Sequence, residues 1–155
     1  MFKNYYFIIL SCFVLGYAVT ASVPVNILKK QSFDNHWIAP KWTDTLIAPN
    51  LLNQSLIQKG NELFNSHCAV CHGENGKGDG EAGFGLSVPP GDLTESPIIS
   101  ETNGSLFWKI NTGRAPMPSY SEKLAEIEVW SLVAYIRNLQ THHLLKVESK
   151  KNKKK

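Results

Sequence analysis

Apolar positions along the chain fall into helical runs separated by stretches that keep no period. In the first run Leu56, Gly60, Leu63 and Phe64 stand at i, i+4, i+7 and i+8, one face of a helix. Ser55 and Gln58 form an S-x-x-Q capping box, which predicts a start at Ser55. A mid-helix glycine such as Gly60 costs about 1 kcal/mol relative to Ala, and is understood if a second helix crosses closely there. The second run is predicted from Asn103, a good N-cap, through Phe107 and Ile110 to Thr112, with Gly113 as its stop. The third runs from Ala125 to Gln140, with Val129, Leu132, Val133, Ile136 and Leu139 as its buried stripe. Past the leader described below no alternating pattern of useful length occurs, so the fold class is all-α.

The connecting stretches are distinctive. Residues 22–50 carry Pro24, Pro40, Pro49, Trp37 and Trp42 without a period; they read as an extended segment, a docking arm or a linker packed through its two Trp. Gly73, Gly76, Gly78, Gly80, Gly83 and Gly85 crowd one loop, but no Lys-Ser or Lys-Thr follows in a phosphate-binding frame. That leaves flexibility or close backbone approach to a flat ligand. Val88-Pro89-Pro90-Gly91 is neither helix interior nor central strand. Arg114-Ala115-Pro116-Met117-Pro118 is a loop in which two prolines hold Met117 stiff and extended.

Lys3, the apolar residues 5–19 and the small-residue box Val19-Thr20-Ala21 read as an export signal at 1–21, cut after Ala21. An uncleaved anchor and a lipid on Cys12 are the alternatives. All three place the remainder outside the cytoplasmic membrane, hence in the periplasm. The 155 residues suit one domain, and 43% apolar with 19% charged content suits a packed core.

Charge is uneven. Residues 22–145 carry nine Lys/Arg against twelve Asp/Glu, whereas 146–155 carry six Lys and Glu148. A nucleic-acid binder would hold its positive charge on the folded surface, so no nucleic-acid partner is expected. The Lys-rich tail, 142–155, reads as a solvated and disordered end; attraction to anionic lipid or to an acidic partner is the sharper option.

Cys68-Ala69-Val70-Cys71-His72 is a C-x-x-C-H string, the signature of covalent haem attachment. Two thiols one helical turn apart can add to the two vinyl groups on one porphyrin edge, and His72 then turns under the ring to bind iron. A zinc site would need four suitably spaced ligands, and His142-His143 does not fit the spacing. A redox dithiol would want a βαβ setting that is missing. Met117 is the one methionine besides Met1, so a thioether in the sixth position would come from it.

The stretch 55–139 resembles the class I c-type cytochromes, in particular small bacterial single-haem domains. The resemblance rests on Cys68-Ala69-Val70-Cys71-His72-Gly73, Gly76-Lys77-Gly78-Asp79-Gly80, Pro89-Pro90-Gly91-Asp92-Leu93-Thr94, Gly104-Ser105-Leu106-Phe107-Trp108, Ala115 with Met117-Pro118, and Trp130-Ser131-Leu132-Val133-Ala134-Tyr135-Ile136-Arg137. It implies three to five helices around one covalent haem c, over a cytochrome domain of residues 51–141. Thioether bonds would come from Cys68 and Cys71, and the axial ligands would be His72 and Met117. It also implies that the carbonyl of Pro89 or Pro90 accepts the His72 Nδ1 proton. Trp108 and Arg114 are candidate neighbours of the propionates. Ala125 stands where such domains carry a Ser or Thr cap, which Ser119 or Ser121 would supply from an earlier start.

With both axial positions filled, iron exchanges one electron and binds no oxygen, and Met/His ligation raises its potential. The expected activity is therefore one-electron transfer between redox-partner proteins, free or within a respiratory complex, rather than catalysis. A haem enzyme or gas sensor is the alternative if Met117 is not a stable ligand. Membrane association is expected, if at all, through the N-terminus or the Lys tail.

Overall fold

The computed structural model describes residues 37–153. The export-signal and Cys12 readings, and the part of the extended segment before Trp37, lie outside the described residues. Within them the chain is helical: α1 (Gln54–His67), α2 (Ala69–His72), α3 (Asn103–Thr112) and α4 (Glu126–Asn152), with short 3-10 turns at Lys41–Thr45, Glu81–Gly83 and Ile98–Ser100. No strand occurs among the described residues, in keeping with the all-α expectation.

The frame is the crossing of α1 and α4. Gly60, Leu63 and Phe64 are the buried face of α1. At Gly60 the helices touch backbone to backbone: a Cβ there would stand 1.9 Å from the Ser131 carbonyl oxygen and 2.8 Å from Tyr135 Cβ. The mid-helix glycine is thus explained by the crossing. Phe64, fully buried, meets the Tyr135 ring at 5.3 Å. Lys59 and Glu128 close the crossing from outside at 3.3 Å. On α4 Val129, Leu132, Val133 and Ile136 are buried as the stripe predicts, while Leu139 is half-buried against the same core. α3 packs through Leu106 and Ile110, and its Phe107 stacks on Trp130 of α4 at 4.4 Å.

Helix starts differ from expectation, each for a local reason. Asn53 caps α1: its Oδ1 accepts from the Ser55 N–H at 2.9 Å and the Ser55 hydroxyl at 2.7 Å, so the Ser55–Gln58 box never forms. Thr102 caps α3 by accepting from Ser105 N–H at 3.1 Å, which leaves Asn103 for another role. α4 does start after Ala125, not at Ser119 or Ser121; Glu128 reaches back to accept the Ala125 N–H at 3.0 Å and supplies half of a capping box. α4 also runs on to Asn152, so the segment read as a disordered tail is helical for most of its length, with Leu144, Leu145, Val147 and its lysines exposed.

The segment 37–50 lies across α3. Thr43 is fully buried, and its carbonyl oxygen would stand 1.8 Å from a Cβ on Gly104. Asp44 accepts the Thr102 hydroxyl proton at 2.7 Å. Trp37 packs on Trp108 with ring centroids 5.9 Å apart, whereas Trp42 stays exposed, so one Trp of the two anchors the segment. No helix of the described residues is long and apolar enough to cross a membrane.

Candidate functional site

α1 ends at His67 and the chain turns at once into α2, a single helical turn holding Cys68-Ala69-Val70-Cys71-His72. Cys71 N–H and His72 N–H donate to the Cys68 carbonyl at 3.1 and 2.9 Å, which puts both sulfurs on neighbouring positions of one face. The glycine loop then wraps under this turn. Gly78 N–H donates to the His72 carbonyl at 2.8 Å, and Gly80 N–H to the Cys71 carbonyl at 3.2 Å. These bonds satisfy the carbonyl end of a helix too short to do so itself. Gly80 has to be glycine: a Cβ would stand 2.6 Å from the Ala69 and Val70 carbonyl oxygens and the Cys71 carbonyl carbon. The glycines therefore serve close backbone approach, to the protein's own turn.

Both cysteines are free thiols, half-buried. Burial, with the neighbouring Cys71 adding to it, pushes the Cys68 thiol up to about 12. Such a thiol is the opposite of a redox-active dithiol, which needs a stabilised thiolate. No group of three or more His, Cys, Asp or Glu able to hold a metal ion occurs among the described residues.

Burial lowers the His72 pKa and so favours the neutral imidazole, against a weaker upward pull from the backbone of Gly91. Its Nδ1 is buried, and the backbone group that acts on the imidazole is that of Gly91. The carbonyls of Pro89 and Pro90 do not take that proton, contrary to expectation. Pro90 O is instead turned to Gly78, 2.3 Å from where a Cβ would sit. A neutral imidazole with one nitrogen buried against backbone, one residue from a free thiol, is the donor set that covalent haem requires; the residues fit the group.

Met117 lies in the return from α3 to α4. The loop is a tight turn and not an extended strut: Met117 N–H donates to the Arg114 carbonyl at 2.8 Å. Gly113, with φ of +67°, lets the loop fold back until Pro118 and Ser119 backbone atoms stand about 2.5 Å from its absent Cβ. The Asn111 carbonyl gathers the far end, accepting from Tyr120 N–H, Ser121 N–H and the Ser119 hydroxyl at 3.2, 3.1 and 2.7 Å. Met117 and Cys68 pack against the same buried cluster. Of the expected propionate neighbours, Trp108 packs on Trp37, and the Arg114 guanidinium lies over the Trp37 ring at 5.1 Å.

Two residues had more to do than their sequence pattern told. Arg137 fastens the segment before α3 to α4: it donates to Asn103 Oδ1 at 2.7 Å, the Ile99 carbonyl at 3.2 Å, Gln140 Oε1 at 2.8 Å and the Glu101 carbonyl. Gln140 passes the link on to the Leu93 carbonyl at 2.7 Å. An arginine between the apolar positions of a buried stripe was the available signal. Tyr120, in contrast, gives no periodic signal at all, yet it is buried and bonded to the carbonyl before Cys68.

Comparison with known proteins agrees with this geometry. Residues 55–136 match the family described as cytochrome C oxidase, cbb3-type, subunit III. The cbb3-type cytochrome c oxidase subunit CcoP of Azospirillum brasilense is 34% identical over 83 residues, covering 53% of this chain and 28% of that protein. CcoP of Azospirillum sp. (strain B510) is 31% identical over 129 residues, 80% of this chain and 41% of the relative. FixP of Azorhizobium caulinodans is 32% identical over 84 residues, 53% and 27% of the two chains. The chain therefore spans well under half the length of these relatives. Among solved structures, a chain of the reducing HAO-like protein complex of Kuenenia stuttgartiensis superposes with a TM-score of 0.51 at 28% identity, over 56% of this chain and 44% of that one. Since the family match takes in more than half of the sequence, from the start of α1 to the buried part of α4 at residue 136, the chain belongs to the c-type cytochrome domains of the cbb3-type oxidase subunit III family.

Proposed function

We propose that this chain is an exported one-electron carrier with a single covalent haem c, working beside or within a respiratory oxidase and not itself a catalyst. The observation that carries the reading is the α2 turn: two free thiols three positions apart on one helical turn, followed by a half-buried His72 whose Nδ1 is shut away from solvent and whose neutral form burial favours. Cys68 and Cys71 would hold the group by thioethers, and His72 and Met117 would be its axial ligands. Bound there, the haem supplies a one-electron couple. The protein's part is to fix that couple and keep water from it. The glycine loop locks the attachment turn, Leu63, Phe64, Val133 and Ile136 contribute to a low-dielectric surround, and the loop at 113–121 brings the thioether. A soft ligand and a dry surround both favour the ferrous state and raise the potential.

The relatives named as oxidase subunits support a respiratory redox partner. The helical, exposed lysines at the end of α4 supply a surface for an anionic membrane, through an attraction that salt would remove. The deciding experiment is optical and by mass. The purified chain should carry the added mass of one haem, show a thioether–iron charge-transfer band when oxidised, and form no carbon monoxide adduct when reduced. Prompt carbon monoxide binding would turn the reading toward a haem enzyme or gas sensor, and a colourless protein would end it.

A further inference from the structure

We infer that Tyr120 is a positioning residue for the sixth ligand, its hydroxyl pinning the Met117 loop to the backbone that precedes Cys68. The inference rests on the haem reading above and deepens it. Tyr120 stands three residues after Met117 and is 6% exposed, within the main apolar cluster. Its hydroxyl donates to the His67 carbonyl at 2.9 Å, across 53 residues of sequence. His67 is the last residue of α1, so that carbonyl has no helical donor and needs an outside one. The bond therefore serves both partners: it finishes α1 and fixes the loop.

The location matters because of what else holds the loop. Apart from Arg114, whose guanidinium also lies over Trp37, the loop's hydrogen bonds run within the loop, back to α3, or on toward the start of α4. The Tyr120–His67 bond is the one that joins residues 115–121 to the segment 54–83, which holds the attachment turn, among the described residues. The Tyr120 ring also lies edge-on to the His67 ring at 6.0 Å. A thioether is a weak neutral ligand that leaves if its loop swings away. The hydroxyl is thus placed to set how much of the time Met117 stays home.

Tyr120→Phe tests this in the holoprotein, because it keeps the buried ring and removes the tether alone. The variant should keep its covalent haem and weaken the thioether–iron charge-transfer band. Ferrous carbon monoxide affinity should rise about tenfold, the equilibrium equivalent of one hydrogen bond. Tyr135→Phe removes the hydroxyl of a half-buried tyrosine on α4, whose ring packs on Phe64, and should leave band and carbon monoxide affinity unchanged. Affinity within about twofold of the parent in Tyr120→Phe, or an equal rise in Tyr135→Phe, overturns the inference. Met117→Ala separates the two layers. If it opens the iron while Tyr120→Phe does nothing, the tether alone is wrong; if it leaves the band intact, the sixth-ligand reading falls with it.

Discussion

The attachment turn and the Met117 loop are built by opposite means. The turn at 68–72 is held by its near neighbours: its carbonyls are met by glycine N–H groups within ten residues, and its thiols and imidazole fall within five consecutive residues. The loop at 113–121 is held close by through the Asn111 carbonyl on α3, and from a distance by His67 on α1. A locally built turn forms as a unit or fails as a unit. A loop assembled from remote contacts can loosen by degrees. The two sides of the proposed haem should therefore respond differently to substitution, all-or-none on the thiol and histidine side and graded on the methionine side.

The largest effect is expected on the local side. Replacing Cys68 and Cys71 together with Ser should abolish covalently bound haem, read as loss of haem staining on a denaturing gel, with no partial state. Retention of stain would break the contrast at its root.

Away from the turn, Arg137→Leu is the strongest single test. It removes the hydrogen bonds from α4 to the Ile99 and Glu101 carbonyls before α3 and to Asn103 at the first residue of α3, together with one to Gln140 within α4 itself. Burial lowers the Arg137 pKa, but the side chain stays protonated at every working pH, so the loss is one of charged hydrogen bonds. The unfolding midpoint in urea should fall by the equivalent of about 2–4 kcal/mol. The haem should remain attached, because no part of the turn is touched.

Gly80→Ala and Gly85→Ala form a matched pair that sharpens the comparison. Neither glycine has a left-handed φ, so only space distinguishes them. At Gly80 the new Cβ meets three backbone atoms of the attachment turn at 2.6 Å. Crowding there should cost about 1–3 kcal/mol and lower the yield of haem-loaded protein. At Gly85 nothing lies within 4 Å, and the change should be neutral or stabilise by about 0.4–1 kcal/mol through the unfolded chain. Equal effects would mean that the loop does not support the turn.

The same division governs what could be read from sequence. The buried face of α1, the crossing at Gly60 and the stripe of α4 follow from local period and the absence of a side chain, and they stand in the structure. The helix starts at Asn53 and Thr102 were missed by one or two residues. Neighbouring polar side chains compete for the same N–H groups, and only geometry decides the winner. The continuation of α4 past Gln140 was hidden because apolar period ends where the core ends, while charged residues carry the helix on. Arg137 and Tyr120 act through carbonyls 36 to 53 residues away, and no local pattern encodes such a pairing.

The smallest effect concerns the frame that both sides share. Glu128 holds α4 to α1: accepting the Ala125 N–H first, and pairing with Lys59 second, it keeps its carboxyl below the usual carboxylate range. A depressed carboxyl stabilises the fold at pH above its unfolded value. That contribution is lost as pH falls through the lower, folded value. Acid titration of the urea midpoint should therefore show a small downward slope in that window. In Glu128→Gln the amide oxygen can still accept the Ala125 N–H, so the cap survives while the charge is gone, and this part of the slope should vanish. Lys59→Met should reduce the slope without removing it, because the backbone bond, the larger cause, remains. If Lys59→Met flattens the acid slope as fully as Glu128→Gln, the ion pair and not the cap is what joins the two helices.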